Sequence, residues 1–411
     1  MLPVRDELLS ERSRQLGLNV LLFDTFLMWG GFFLVVPLIG VHFVDDLGWA
    51  AASVGLVLAV RQFLQQGITV FGGALSDRFG ARGLILAGLF VRVFGFGLMG
   101  FATSYPILML ASILSGLGGA LFEAPGSAAV AALTTPESRA RFFSLRGTVG
   151  SLGMTVGPLV GALLIRSSFQ VVALVSAACY VLTFLVTAWL LPRVRTSSES
   201  SSGSSLFSGL LIPLRDRRFV VFTILLVGYW FLWSHLGIAV SLRAIRLAGS
   251  RDAVSWVYTL TSVMSIALQI PVMNFLERRF SPMPTLAFGI GLMALALGCM
   301  VFVSSIAGLL VCVGLLALGG LIASPVQQTI VARMADPRAL GSYFGVNGLA
   351  VAFGGGVGSY VAGALYDFGK GDLAWLPWAT ALLVGLISAF GLFVLRDWFE
   401  PEPPVVPIKP L

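Results

Sequence analysis

Charge is scarce in this sequence. Of 411 residues only 11% are Asp, Glu, Lys or Arg, while 57% are hydrophobic; an ordinary soluble domain carries roughly 25% charged residues. A chain of this length folded in water would need charge to cover its surface, so the shortage excludes a soluble globular protein. Histidine occurs twice and cysteine three times. Cys179, Cys299 and Cys312 all fall inside apolar runs, which points to neither a disulfide framework nor a metal site. A nucleotide-binding loop and a nucleophile with a histidine partner are missing too, so neither an enzyme nor direct ATP drive is expected. No cofactor is implied.

What is present is length of apolar run. Windows near 18–43, 49–75, 83–103, 106–133, 143–166, 169–191, 219–242, 253–276, 284–304, 307–332, 342–366 and 374–395 each reach the roughly 20 residues that cross a hydrocarbon core. Lipid offers no partners to backbone polar groups, so the spans must be helices. The expected fold is an all-α integral membrane protein of twelve transmembrane helices. The first run is too long for a cleavable signal peptide and is followed by span after span.

A polar, serine-rich stretch at 192–218 has the composition of a flexible linker. It divides the chain into six-helix bundles at 1–191 and 219–396, with a proline-rich tail at 397–411 read as disordered. The halves echo each other at a spacing of 201 residues (Pro136 and Pro337, Phe142 and Tyr343, Gly153 and Gly354, Gly157 and Gly358), and Asp77-Arg78 is echoed by Glu277-Arg278. Two pseudo-symmetric bundles are therefore expected, with a substrate held between them near the bilayer midplane.

The net charge of +7 reports topology and not affinity for nucleic acid. With the N-terminus placed in the cytoplasm, five basic residues fall outside (Arg166, Arg243, Arg246, Arg251, Lys370) and two inside spans (Arg61, Arg92), leaving 19 of 26 on the cytoplasmic side. This is the positive-inside pattern, and it puts both termini in the cytoplasm.

Two motifs carry a resemblance. The loop Gly73-Ala74-Leu75-Ser76-Asp77-Arg78-Phe79-Gly80-Ala81-Arg82 resembles the signature loop of the major facilitator superfamily: glycines for tight turns, an acid–base pair at a helix end, and basic residues at the membrane surface. Gly83 stands where the family pattern carries a further basic residue. In the fifth span, Gly153, Gly157, Pro158 and Gly161 resemble the antiporter motif of the twelve-helix drug/proton exporters, with Ala162 in place of its final glycine. Glycines every fourth residue line one helix face and admit a close neighbour, while Pro158 loosens the segment. Gly48-Trp49-Ala50-Ala51, Arg61-Gln62-Phe63, Leu114 to Gly119, and Arg141 to Leu145 resemble the MdtH-type multidrug exporters. The resemblance implies a bacterial inner-membrane, proton-driven exporter. It also implies a coupling arginine four residues before a glycine of the fourth span, where this chain has Ser112 before Gly116.

Ionisable residues inside spans are costly and hence functional candidates. Glu123 heads them, for proton or substrate: lipid favours its neutral form, a nearby arginine its charged form, and such competition suits a group that takes and releases a proton. A structural ion pair with Arg92 or Arg61 is the alternative. Arg61 shares a polar stripe with Gln62, Gln65 and Gln66, and Arg92 sits mid-span; either replaces the missing arginine or bridges helices. Asp24, a short way into the first span, is a second proton site or a partner of basic loops. Tyr229, Trp230, Trp233 and His235 form an aromatic group that either stacks on flat cations or packs.

The expected function is proton-coupled antiport of hydrophobic or cationic small molecules by alternating access, with protons, substrate and lipid as partners and a monomer sufficing. A symporter for a sugar, lipid or metabolite on the same fold is the alternative, and a non-transporting receptor a more distant one.

Overall fold

The computed structural model describes residues 10–69, 79–165, 167–192, 208–277, 279–336, 340–369 and 373–399. Among them are twelve long helices: α1 (Glu11–Gly40, continued by a π turn, Val41–Asp46), α2 (Ala51–Thr69), α3 (Ala81–Met99), α4 (Tyr105–Leu133), α5 (Pro136–Leu164) and α6 (Phe169–Leu190) in the first half. The second half has α7 (Arg217–Ser234, continued by a π turn, Leu236–Val240, and by Ser241–Ala248), α8 (Asp252–Glu277), α9 (Pro282–Cys299), α10 (Ile306–Met334), α11 (Leu340–Phe368) and α12 (Leu376–Val394). Eleven of these are long and apolar enough to cross a bilayer. The twelfth, α2, spans 19 residues, and the stripe Arg61, Gln62, Gln65 and Gln66 lowers its hydropathy.

Helix ends follow local chemistry. Ser10, Ser168 and Ser305 cap α1, α6 and α10 by accepting from the backbone N–H three residues on. Asp216 accepts from the N–H groups of Arg218 and Phe219 at the start of α7. Such caps satisfy amides that have no partner inside the helix.

The two halves pack alike. In the first, α1 lies against α5 and α6, α3 against α4 and α6, and α2 against α4. In the second, α7 lies against α11 and α12, α9 against α10 and α12, and α8 against α10. Each contact thus recurs six helices later. Close approach rests on glycines: a Cβ at Gly118 would meet Gly88 O at 2.5 Å between α4 and α3, and one at Gly319 would meet Gly289 O at 2.5 Å between α10 and α9. The antiporter-like glycines act on the same principle. A Cβ at Gly153 would stand 2.5 Å from Phe26 O, and one at Gly157 2.5 Å from Gly30 O, so this face of α5 is seated on α1 backbone to backbone. Gly354 and Gly358 seat α11 on α7 in the same way.

The bundles meet through α2 with α11 and through α5 with α8. At the distal end, the one with the α1–α2 turn, charged contacts cross between them. Arg251 pairs with Asp46 and lies 3.9 Å from Asp45. Asp367 on α11 accepts from the backbone N–H of Ala52 at 2.8 Å, so the second bundle caps the first turn of α2. The distal ends of α1 and α7, both π turns, touch where a Cβ at Gly40 would lie 3.1 Å from Gly237 O.

Three boundaries differ from those expected. Helix α1 begins at Glu11 and not near residue 18 because Ser10 caps it. The end of the presumed linker is helical over Ser208–Arg215 and packs on α7 and α11. The start of the tail expected from residue 397 is helical, since Arg396–Phe399 forms a turn that buries Phe399 against Phe222, ring centroids 5.8 Å apart, and residues 400–411 lie outside the described residues.

Replacing Gly157 by valine should lower stability by about 1–3 kcal/mol through overpacking against α1, read as a lower melting temperature in detergent. Gly147→Ala on the same helix, where a Cβ meets nothing within 4 Å, should leave it unchanged. Equal melting of both variants would show that the α1–α5 contact is not close-packed.

Candidate functional site

Five ionisable side chains gather inside the first bundle, one from each of five helices: Asp24 on α1, Arg61 on α2, Arg92 on α3, Glu123 on α4 and Arg146 on α5. Asp24, Arg61 and Arg92 are 0%, 5% and 3% exposed; Glu123 and Arg146 are half-buried.

Arg61 donates through Nη1 to Gln65 Oε1 (2.8 Å) and through Nη2 to Gln62 Oε1 (2.6 Å), and lies over the Phe32 ring at 4.6 Å. Gln65 in turn donates its Nε2 to Glu123 Oε1 at 3.4 Å, so an amide links the arginine to the acid. Arg92 donates to the Tyr180 hydroxyl at 3.2 Å and lies among the Phe32, Phe96 and Tyr180 rings at 5.6, 5.9 and 5.3 Å. Neutral amides, a phenol and ring faces thus hold both guanidiniums.

Glycines in α4 make the room. A Cβ at Gly119 would lie 2.6 Å from Arg92 Nη2 and 2.8 Å from Gln65 Cδ, and one at Gly118 2.7 Å from Arg92 Cγ. The small residues before Glu123 therefore clear space for Arg92 and for Gln65, the partner of Arg61.

Asp24 accepts from the Thr187 hydroxyl at 2.7 Å, while its Oδ1 is buried without a hydrogen bond. Because α1 starts early, Asp24 lies near the middle of its helix, away from any loop. Arg146, counted among the cytoplasmic basic residues on sequence alone, lies in the interior. Its Nε donates to Thr25 Oγ1 (3.1 Å) and its Nη1 to Ser127 Oγ (2.9 Å). No residue pattern marked it, because the apolar window at 143–166 put it at a span edge. Among the described residues neither Asp24 nor Glu123 forms an ion pair within 4.0 Å.

Among the described residues the second bundle shows no such cluster. The positions 201 residues on are Leu225, Ser262, Met293, Ser324 and Asn347. The equivalence holds in space: Thr187 donates to Asp24, and Ser388 donates to Leu225 O at 2.6 Å. Here lie the aromatic candidates. Tyr229 is buried edge-on to Trp230 at 5.0 Å, and the buried Trp230 Nε1 has no hydrogen-bond partner. Trp233 packs on Gly320, where a Cβ would lie 2.8 Å from its ring. His235 is fully buried at the α7 joint, its Nδ1 2.9 Å from Phe231 O.

Gln62 lies against Gly355 of α11, at the seam between bundles. Of the signature loop, Gly73, Asp77 and Arg78 lie outside the described residues, as does the side chain of Glu277 with Arg278. Gly80 precedes α3 with φ +77°, a conformation that favours glycine. Arg82 donates to Ala188 O, tying α3 to α6. A cavity of 490 Å³ opens at the distal mouth between Asp45, Trp49, Tyr366 and Asp367, away from the charged cluster.

Twelve helices in two equivalent bundles, with charge buried in one of them, describe a membrane transporter. The model of the Major Facilitator Superfamily matches residues 21–244 and 222–410, and the chain belongs to that family. It is 41% identical over 386 residues to the multidrug resistance protein MdtH of Yersinia pestis (strain Pestoides F), covering 94% of this chain and 96% of the relative, and equally to that of Yersinia pseudotuberculosis serotype O:1b (strain IP 31758). Among solved structures it resembles the peptide transporter POT in complex with sulfate (TM-score 0.76, 16% identity, 93% of this chain and 94% of that one). A POT family transporter in complex with 5-aminolevulinic acid also matches (TM-score 0.75, 13% identity, 94% and 97%). At these identities the solved structures speak for the fold alone. The protein is thus a multi-pass membrane transporter, not an enzyme.

Thr187→Val should destabilise the protein by about 1–3 kcal/mol, because it strands a buried carboxyl oxygen, whereas Thr187→Ser should melt like the native protein. A native melting temperature for the valine variant would mean that Asp24 finds water or another partner.

Proposed function

We propose that the protein is a proton-coupled antiporter that exports hydrophobic or cationic small molecules by alternating access. The observation that carries this reading is the placement of Glu123. It is a half-buried carboxyl in a bundle with three interior arginines, held among the described residues by an amide at 3.4 Å, and the equivalent position of the second bundle is Ser324. A carboxyl in an apolar bundle with no committed ion pair can lose or gain a proton without breaking a salt bridge. Asp24, bonded to one hydroxyl, is the second proton carrier.

The halves divide the work. Three guanidiniums against two carboxyls leave little net attraction for a permanent cation, so substrate binding rests mainly on apolar and aromatic surface around Trp230 and Trp233. Similarity to the multidrug resistance protein MdtH supports this substrate class. The positive-inside distribution supports an inner-membrane location with both termini cytoplasmic. The distal contacts of Arg251 and Asp367 are then external, and would part when the protein opens outward.

Inside-out vesicles with a respiration-driven pH gradient test the reading. Ethidium, or an uncharged lipophilic dye in parallel, should collapse the gradient when the native protein is present. With Glu123→Gln the collapse should fall at least tenfold, as expected for loss of a required proton carrier. A collapse equal in both proteins would move the proton to Asp24. No response to either dye, with both proteins inserted, would overturn the antiport reading and favour a metabolite symporter.

A further inference from the structure

We propose that Arg146 is the positioning residue of the buried acid pair: its guanidinium, resting on two hydroxyls between α1 and α4, moves onto whichever of Asp24 and Glu123 is ionised. This role rests on reading the cluster as the proton-carrying site, and it concerns a residue that no motif singles out.

The berth is built from both acid-bearing helices. Thr25, which takes the Nε hydrogen at 3.1 Å, directly follows Asp24 on α1. Ser127, which takes the Nη1 hydrogen at 2.9 Å, stands one helical turn beyond Glu123 on α4 and donates its own proton to Glu123 O at 3.0 Å. Thr25 likewise donates to Leu21 O at 2.7 Å, which leaves its lone pairs free for the arginine. Gly126 opens the space for the head group, since a Cβ there would lie 2.9 Å from Nη2. Gly150 and Gly153, close against Thr25, Phe26 and Trp29, hold α5 near enough to α1 for the side chain to reach.

The other two arginines are placed differently. Arg61 is held by two glutamines and Arg92 by Tyr180 and three rings. Among the described residues Arg146 rests on two hydroxyls, neutral partners that a guanidinium gives up readily for a charge-assisted bond to carboxylate. The charged and titratable groups facing the pair are Asp24 from α1, Arg61 from α2, Arg92 from α3, Glu123 from α4 and Tyr180 from α6. Of the three cations, Arg146 is the one bonded beside both acids, to Thr25 next to Asp24 and to Ser127 one turn from Glu123. Ionising one acid draws the guanidinium toward it and away from the other. The two protons are thereby linked without a fixed salt bridge.

The experiment reads protonation directly and needs no substrate. Native protein in liposomes is treated with dicyclohexylcarbodiimide, which attacks protonated carboxyls, at a series of pH values, and Glu123 and Asp24 are quantified by peptide mass spectrometry. Removing a neighbouring cation favours the neutral acid, so Arg146→Gln should raise labelling of both acids near pH 7.5 by about threefold or more. Arg146→Lys should fall between, and Ser127→Ala, which keeps the charge but removes the hydroxyl that competes with Glu123 for the guanidinium, should lower Glu123 labelling. A folded Arg146→Gln protein whose labelling follows the native pH curve would overturn the role and leave Arg146 as packing. If that variant does not fold, Ser127→Ala decides, and unchanged labelling overturns the proposal. Shifted labelling without dye-driven proton movement in the native protein would keep the role and sink the antiport reading. Dye-driven movement with unshifted labelling would do the reverse.

Discussion

A charged side chain inside a bilayer must find its partners in the protein, because the lipid supplies none. Much of the first bundle follows from that constraint. Two arginines are solvated by glutamine amides, a phenol and ring faces, and glycines of α4 give up their side chains so that these groups fit. The acids are treated more sparingly. Among the described residues Asp24 has one hydroxyl and Glu123 one long amide contact, with no ion pair within 4.0 Å. Arg61 and Arg92, each held by neutral partners, stand beside loosely held acids.

The same packing plan appears twice with different chemistry. Helix contacts recur six helices later, and the glycines that seat α4 on α3 seat α10 on α9. The buried charges do not recur: Leu225, Ser262, Met293, Ser324 and Asn347 stand in their places. Packing depends on small residues at fixed spacing and survives loss of charge, whereas each buried charge needs its own set of partners. A repeated fold can therefore keep its contacts while one half becomes polar and the other aromatic. At the distal end of the seam between the halves, Arg251 on Asp46 and Asp367 on the first turn of α2 are exposed or half-buried contacts, which contribute little individually. Along α2 and α11, by contrast, Gly55 packs on Ser359 and Gly363 on Ala51, backbone to backbone.

Apolar runs, the repeat and the four-residue glycine spacing were legible in the sequence, since each expresses a local rule: length to span lipid, recurrence at constant offset, or one helix face. The interior charges Asp24, Arg61, Arg92 and Glu123 stood out because charge inside an apolar run is rare. Other features were not legible. Arg146 lies where an apolar window begins, and only the seating of α5 on α1 carries it inward to Thr25 and Ser127. Phe399 sits past the last apolar run and is buried because Phe222, far away in the chain, receives it.

By itself the sequence determined that the chain crosses a membrane as helices, in two related halves, with charge embedded in the first. These follow from hydropathy and periodicity, which are properties of neighbouring residues. Tertiary structure decided which charges share the interior, that glutamines and hydroxyls stand between them, and that Arg146 is carried inward to Thr25 and Ser127. Those outcomes depend on which faces of five separate helices turn toward one another, and that is set by close packing at glycines distant in the chain.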